Sequence, residues 1–274
     1  MSVGDDRIVA AIQMVSSDHV ERNLEQAAGL IERAVSRGAE LLVLPENFGF
    51  MGRHDEQVLD VAEQPGVGPM QSFLAEQSKA HGITLVGGTV PIREAADHRA
   101  RSACLVFSPQ GEQLGRYDKL HLFDVDVPTS QEVYRESDNL APGDEPCVVD
   151  TPLGRLGLAI CYDLRFPELF RAMNAEGAEL FALPAAFTLA TGRDHWEALL
   201  RARAIENLTS VIASGQGGPH ASGRQTYGHS MVIDAWGDVA DVYGYGAGIA
   251  FGTFNSTKQK ALRERFPVLG HRRL

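Results

Sequence analysis

Apolar positions along this chain fall into short runs separated by segments of helical spacing. Residues 8–14 (IVAAIQM) form a nearly unbroken apolar run of strand length, the pattern of a strand covered on both faces. Over residues 21–37, Leu24, Ala27, Ala28, Ile31, Ala34 and Val35 recur three and four apart, which predicts a helix with one apolar stripe. Gly38 stands where that helix would stop. Residues 41–44 (LLVL) predict a second buried strand, 69–81 a second helix and 83–89 (ITLVGGT) a third strand. A βαβαβ rhythm of this kind predicts helices covering a sheet.

The rhythm changes in the middle. Residues 102–107, 113–117, 147–150 and 156–161 read as strands with no long helix between them. Residues 120–145 form a long polar connection, and connections of that length in a folded domain are usually functional. Alternation then returns with a helix near 166–176, a strand at 179–183, a helix at 193–207 and a strand at 208–214. Three closing antiparallel strands (229–234, 238–242, 247–253), a last helix near 255–265 and a basic tail (HRRL) finish the chain. With no linker, repeat or low-complexity tract, residues 1–274 read as one α/β domain of mixed sheets covered by helices.

Charge narrows the partners. The 25 Lys and Arg against 36 Asp and Glu give a net charge of −11, which repels phosphate backbones and anionic lipid. Nucleic acid and membrane are therefore not expected, although a local basic pocket for a small anion is compatible with this balance. The start MSVGDDRIVAAIQM carries acids where a signal peptide carries bases, and no run approaches the roughly 18 apolar residues of a membrane span. Three cysteines, Cys104, Cys147 and Cys161, do not suggest a disulfide framework and fit a reducing, cytoplasmic setting. The nine histidines include no HExxH pattern and no Cys/His set with zinc spacing, so neither metal nor cofactor is expected.

Three residues stand at the ends of apolar strands, where helix-covered sheets carry functional groups. Cys161 follows LGLAI and precedes the helical segment RFPELFRAM. The positive end of that helix would favour the thiolate and make Cys161 a nucleophile, whereas a packed structural thiol is the commoner fate of a free cysteine. Cys104 and Cys147, inside or at the start of strands, read as structural. Glu46 follows LLVLP; burial there would raise its pKa toward that of a general base, or it caps a loop. Lys119 follows LGRYD and would serve as an oxyanion-stabilising cation or lie exposed on the surface. Other patterns are weaker. GHSM at 228–231 lacks the closing glycine of a serine elbow, GQGG at 215–218 opens no helix, and Arg201, Arg203 and Glu206 read as a solvated or inter-subunit helix face. His121, His195 and His229 could line a pocket, but His195 and Trp196 equally suit packing.

Taken together, PENFGFMG around Glu46, YDKLHLFDVDVP around Lys119 and AICYDLRFPELF around Cys161 resemble the nitrilase, or carbon–nitrogen hydrolase, superfamily across essentially the whole chain. The resemblance implies a four-layer αββα sandwich and a Glu46–Lys119–Cys161 triad. It makes Glu46 the base, and Lys119 with the backbone N–H of Tyr162 the oxyanion donors. Glu136, in VYRESDNLAPGD, becomes the second glutamate that positions the lysine. It also implies a homodimer or larger assembly. CYDLRFPEL, TGRDHWEALLRARAIEN, YGHSMVIDAWG and PVLGHRR look like the branch acting on small carboxylated amides, the deaminated glutathione amidases and ω-amidases, with the first group the better fit. On that view Arg165, Phe187 and His195 contact the substrate, Arg165 pairing its carboxylate; the other reading of Arg165 is an ion pair with Glu168 or Asp163. Arg193 and Asp194 depart from the pattern, which usually has a proline and a small residue there. Rival functions are a nitrilase, an N-carbamoyl amino acid amidohydrolase, a cysteine peptidase needing a Cys–His pair, and a catalytically silent binding protein on the same fold.

Overall fold

The predicted alternation is realised as two sheets facing each other. A computed structural model describes residues 6–94, 98–128 and 132–273. Residues 1–5, on which part of the signal-peptide argument rests, Leu274 of the basic tail and residues 129–131 of the polar connection lie outside the described residues.

In the first sheet, β1 (Arg7–Gln13), α1 (Val20–Ser36), β2 (Ala39–Val43), α2 (Pro69–His81) and β3 (Thr84–Val86) form the predicted βαβαβ unit with parallel strands. Antiparallel strands β4 (Val90–Ile92), β5 (Arg101–Phe107) and β6 (Gln113–Asp118) extend it. A small hairpin, β7 (Asp124–Asp126) and β8 (Val133–Arg135), then leads away. The second sheet collects β9 (Val148–Thr151), β10 (Gly154–Leu158), β11 (Leu180–Ala185), β12 (Ser210–Gly215), β13 (Ser230–Ile233) and β14 (Val239–Tyr243). Its helices α3 (Pro167–Ala175) and α4 (Leu189–Asn207) precede β11 and β12. The last strand, β15 (Gly248–Phe254), returns to the first sheet beside β1, and α5 (Ser256–Arg265) follows.

Side-chain alternation explains the layering. On β1 and β2, Val9, Ala11, Leu41 and Val43 enter the core between the sheets, while Ala10, Ile12, Leu42 and, just past β2, Leu44 pack on Ala27, Leu30 and Ile31 of α1 and Leu74 of α2. On the far side, Phe181 of β11 meets Phe170 of α3 edge to face. The result is the expected four layers, α–β–β–α. The inter-sheet core is shallow. Ala11, Ala182 and Ala250 lie in it, the Ser214 hydroxyl of β12 donates to the Ile12 carbonyl of β1, and a Cβ on Gly252 of β15 would meet Val232 of β13 at 2.3 Å.

Three local expectations change. The run 83–89 does not continue as one strand, because Gly88 takes φ +54 with its α-carbon against Pro45, where a Cβ would stand 2.1 Å from the carbonyl oxygen. The chain turns there into β4. The polar connection 120–145 contains the β7–β8 hairpin and a 3₁₀ turn at Glu136–Asp138. Arg203 is not on a solvated helix face: it is buried, donates twice to the Leu164 carbonyl (3.1 and 2.8 Å) and pairs with Glu206 at 3.0 Å.

Candidate active site

The three strand-end residues converge although they come from different sheets. Glu46 follows β2, Lys119 follows β6, and Cys161 stands just beyond β10 in the facing sheet. Lys119, predicted as a surface residue in one of its two readings, is 1% exposed. Its Nζ lies 2.8 Å from Glu46 Oε1 and donates to both Glu136 oxygens at 2.9 and 2.8 Å. Glu136 is fixed in turn by the Phe123 N–H, which donates to Oε2 at 2.7 Å. The second Glu46 oxygen accepts from the Ala186 N–H at 2.8 Å. Gln216, from the glycine-rich GQGG run, donates to the Glu46 carbonyl at 2.9 Å and exchanges hydrogen bonds with Ser16. That run is therefore a brace for the Glu46 loop.

Electrostatics reverse two expectations from the sequence. Burial alone pushes the Glu46 carboxyl up, but the ammonium of Lys119 at 2.8 Å, helped by Arg224, outweighs it and holds Glu46 below its ordinary range. Burial likewise opposes charge on Lys119, yet Glu136 and Glu46 together hold its pKa well above normal. For Cys161, burial and then the Glu46 charge raise the thiol well above its usual value, with Lys119 only partly offsetting them. The helix invoked to stabilise a thiolate, α3, begins only at Pro167, after a 3₁₀ segment at Cys161–Arg165, while an ionised carboxylate stands nearer. The resting pair is a neutral thiol beside a carboxylate, an arrangement in which the carboxylate can accept the thiol proton.

The backbone is strained at both partners. Cys161 has φ +47 and Asn47, next to Glu46, has φ +58; non-glycine residues in that region cost about 1–3 kcal/mol each and gather at functional sites. Tyr162 occupies the first turn of the 3₁₀ segment, where a backbone N–H has no acceptor within the helix and can serve a ligand.

The proposed substrate contacts form one group beside this cluster. Arg165 lies with its guanidinium carbon 5.3 Å from the Phe187 ring centre and 6.0 Å from that of Tyr162, and its Nη1 is 3.3 Å from His195 Nδ1. It makes no ion pair with Glu168 or Asp163, the partners suggested for a structural role: Asp163 is taken by His121 and Tyr117. Phe187 is buried against Trp196, whose indole donates to the His229 carbonyl. His195, Arg193 and Asp194 are exposed at the start of α4. GHSM is structural: the buried Ser230 hydroxyl is held between Gln13 and the Gly215 N–H. Among the described residues no His, Cys, Asp and Glu group is arranged to hold a metal.

One buried residue with no signal in spacing or composition ties the site together. Asp163 accepts from the Ile160 N–H (2.8 Å) on the nucleophile strand, and from the Tyr117 hydroxyl (2.7 Å), the His121 N–H (3.1 Å) and His121 Nδ1 (2.6 Å) around Lys119. It thereby clamps the Lys119 segment to the Cys161 turn. Asp163→Ala strands several buried donors at about 1–3 kcal/mol each, so we expect a loss of about 3 kcal/mol or more in denaturant unfolding together with reduced turnover. A loss below about 1 kcal/mol would remove the clamp.

Comparison with known proteins gives the enzyme class. The family model for carbon–nitrogen hydrolases matches residues 8–263, and the chain belongs to the carbon–nitrogen hydrolase family. It is 41% identical over 267 residues to the deaminated glutathione amidase of Yersinia enterocolitica, covering 97% of this chain and 92% of the relative. It is 35% identical over 266 residues to the omega-amidase NIT2 of Bos taurus, covering 97% and 94%. The crystal structure of the Caenorhabditis elegans NitFhit protein superposes with a TM-score of 0.91 at 39% identity, over 98% of this chain and 65% of that longer one.

Proposed function

We propose that the protein is an amidase that hydrolyses a linear C–N amide bond in a small carboxylated molecule through a Cys161 thioester. The observation that carries this reading is the Glu46–Lys119–Glu136 chain, buried at Glu46 and Lys119 and partly open at Glu136, beside the Cys161 thiol. Glu46 takes the thiol proton as Sγ attacks the amide carbonyl carbon. The oxygen becomes an oxyanion held by Lys119 and the Tyr162 N–H. Glu46 returns the proton to the departing nitrogen, the C–N bond breaks, and ammonia or an amine leaves. Water then enters, gives a proton to Glu46 and attacks the thioester; the acid departs and the thiol is restored. Glu136 orients Lys119 and keeps it charged.

Similarity to a deaminated glutathione amidase at 41% identity favours a deaminated-peptide amide over a nitrile, and Arg165 beside Phe187 and His195 suits a carboxylate on the substrate. The test is a hydrolysis panel of deaminated glutathione, α-ketoglutaramate, an N-carbamoyl amino acid and a simple nitrile, with Cys161→Ala as control. We expect turnover of the first or second and none of the nitrile. Turnover of the nitrile alone would defeat the reading. Arg165→Ala is expected to raise KM for carboxylated amides by about tenfold, the worth of one charge-assisted hydrogen bond, with little change for neutral ones; equal effects would remove Arg165 from recognition.

A further inference from the structure

The buried and half-buried charges of the site do not balance. Glu46 and Glu136 share a single cation, Lys119, so the trio leaves one net negative charge where a carboxylated substrate must bind. A second carboxylate brought there is repelled unless a further cation receives it. Two arginines beside Glu46 and Glu136 differ in availability. Arg135 is neutralised by Asp126 at 2.7 Å. Arg224 makes no ion pair with any described carboxylate.

Arg224 comes from the loop 216–229 between β12 and β13. Its Nη2 donates to the Ala186 carbonyl at 2.6 Å, and its guanidinium carbon stacks 4.8 Å from the Tyr134 ring centre. Its Nε is buried with no hydrogen-bond partner. Ala186 is the same residue whose N–H holds Glu46, so the guanidinium is one peptide unit from the general base. Arg224, Tyr134, Glu46, Glu136, Asn139 and Ser222 line one cavity. A half-buried, ring-stacked guanidinium with no carboxylate partner, lining a cavity with Glu46 and Glu136, suits an oxyanion.

Resting on the amidase reading, we infer that Arg224, positioned by Tyr134 and the Ala186 carbonyl, binds a substrate carboxylate and selects for anionic amides. Arg165 lies on the Phe187 side of the same strand end and Arg224 on the Ala186 side, so the pair suits a substrate anionic at two places.

The test uses a ligand pair that differs by one carboxylate: glutaramate, which has one carboxylate and one amide, and its neutral diamide, glutaramide. The full-length Cys161→Ala protein, which binds without turnover, is titrated with each by calorimetry near pH 7. We expect glutaramate to bind the tighter. Adding Arg224→Gln is expected to weaken glutaramate about tenfold or more and glutaramide less than twofold. Arg224→Lys, which keeps the stem and the charge, is expected to recover part of the loss, and it carries the same comparison if the Gln variant does not fold. Equal weakening of both ligands, an unchanged glutaramate affinity, or no preference for glutaramate in the parent overturns the inference. Because binding is read without catalysis, these outcomes are separate from failure of the amidase reading, which the hydrolysis panel detects.

Discussion

Replacing Cys161 with alanine is expected to lower kcat by about 10⁴-fold or more, equivalent to about 5.5 kcal/mol of activation free energy, while the protein stays folded. The side chain is small and 7% exposed, and its removal leaves Glu46 and Lys119 paired with each other at 2.8 Å, so no buried charge is orphaned. What disappears is the covalent route. A thioester intermediate should also be trapped in the wild-type protein as a mass increment on the Cys161 peptide when the reaction is quenched early, and be missing in Cys161→Ala. Retained turnover with an unshifted melting temperature would end the nucleophile assignment.

Removal of Lys119 is expected to damage both activity and stability. Lys119→Met leaves two carboxylates facing each other without their common cation, and breaking a buried ion pair on one side costs about 3–5 kcal/mol. The sign of the pH dependence follows from Glu46. Its folded pKa lies below the unfolded one, so its contribution to stability is present above the unfolded glutamate pKa and lost as pH falls through the folded value. In Lys119→Met the largest influence on Glu46, burial, loses its main opponent and is countered only by the more modest pull of Arg224 and the Cys161 thiol; the Glu46 pKa rises, and the acid side of the stability profile moves up in pH. The acid limb of kcat/KM moves the same way in whatever activity remains, because Glu46 must be ionised to accept the thiol proton. Chemical unfolding and a pH–rate profile measure the two effects. An acid limb at the same pH in both proteins would show that Lys119 does not set the state of Glu46.

Much of this was legible in the sequence, and the parts that were not share a cause. The strands and helices were readable because apolar spacing is a local property; α1 and β2 fall within a few residues of their predicted bounds. The positions of Glu46, Lys119 and Cys161 at strand ends were readable for the same reason. Their joining into one site was expected only through family resemblance, as was the place of Glu136. The protonation states differ from what the sequence leads one to expect. Burial of Glu46 was foreseen, but the sign of its shift depends on an ammonium 73 residues away in the chain, and the thiol of Cys161 answers to the same distant carboxylate rather than to its neighbouring helix. Asp163, Gln216 and Arg224 carry no periodicity at all. Their roles exist only in the folded arrangement of loops, which pattern does not fold.

The placement of the triad on two facing sheets has a mechanical consequence. Glu46 and Lys119 are mounted on one leaf and Cys161 on the other, so the gap between the proposed base and nucleophile is gauged by the filling between the leaves, which narrows at its alanines and glycine. The protein behaves as a vice whose jaws come nearest where Ala11, Ala182, Ala250 and Gly252 stand, with Val9, Leu41 and Val43 filling the wider part of the gap. Enlarging Ala11 or Ala250 would part the jaws before it unfolded the molecule, so residues that never meet a substrate hold a vote on how fast the acyl bond forms.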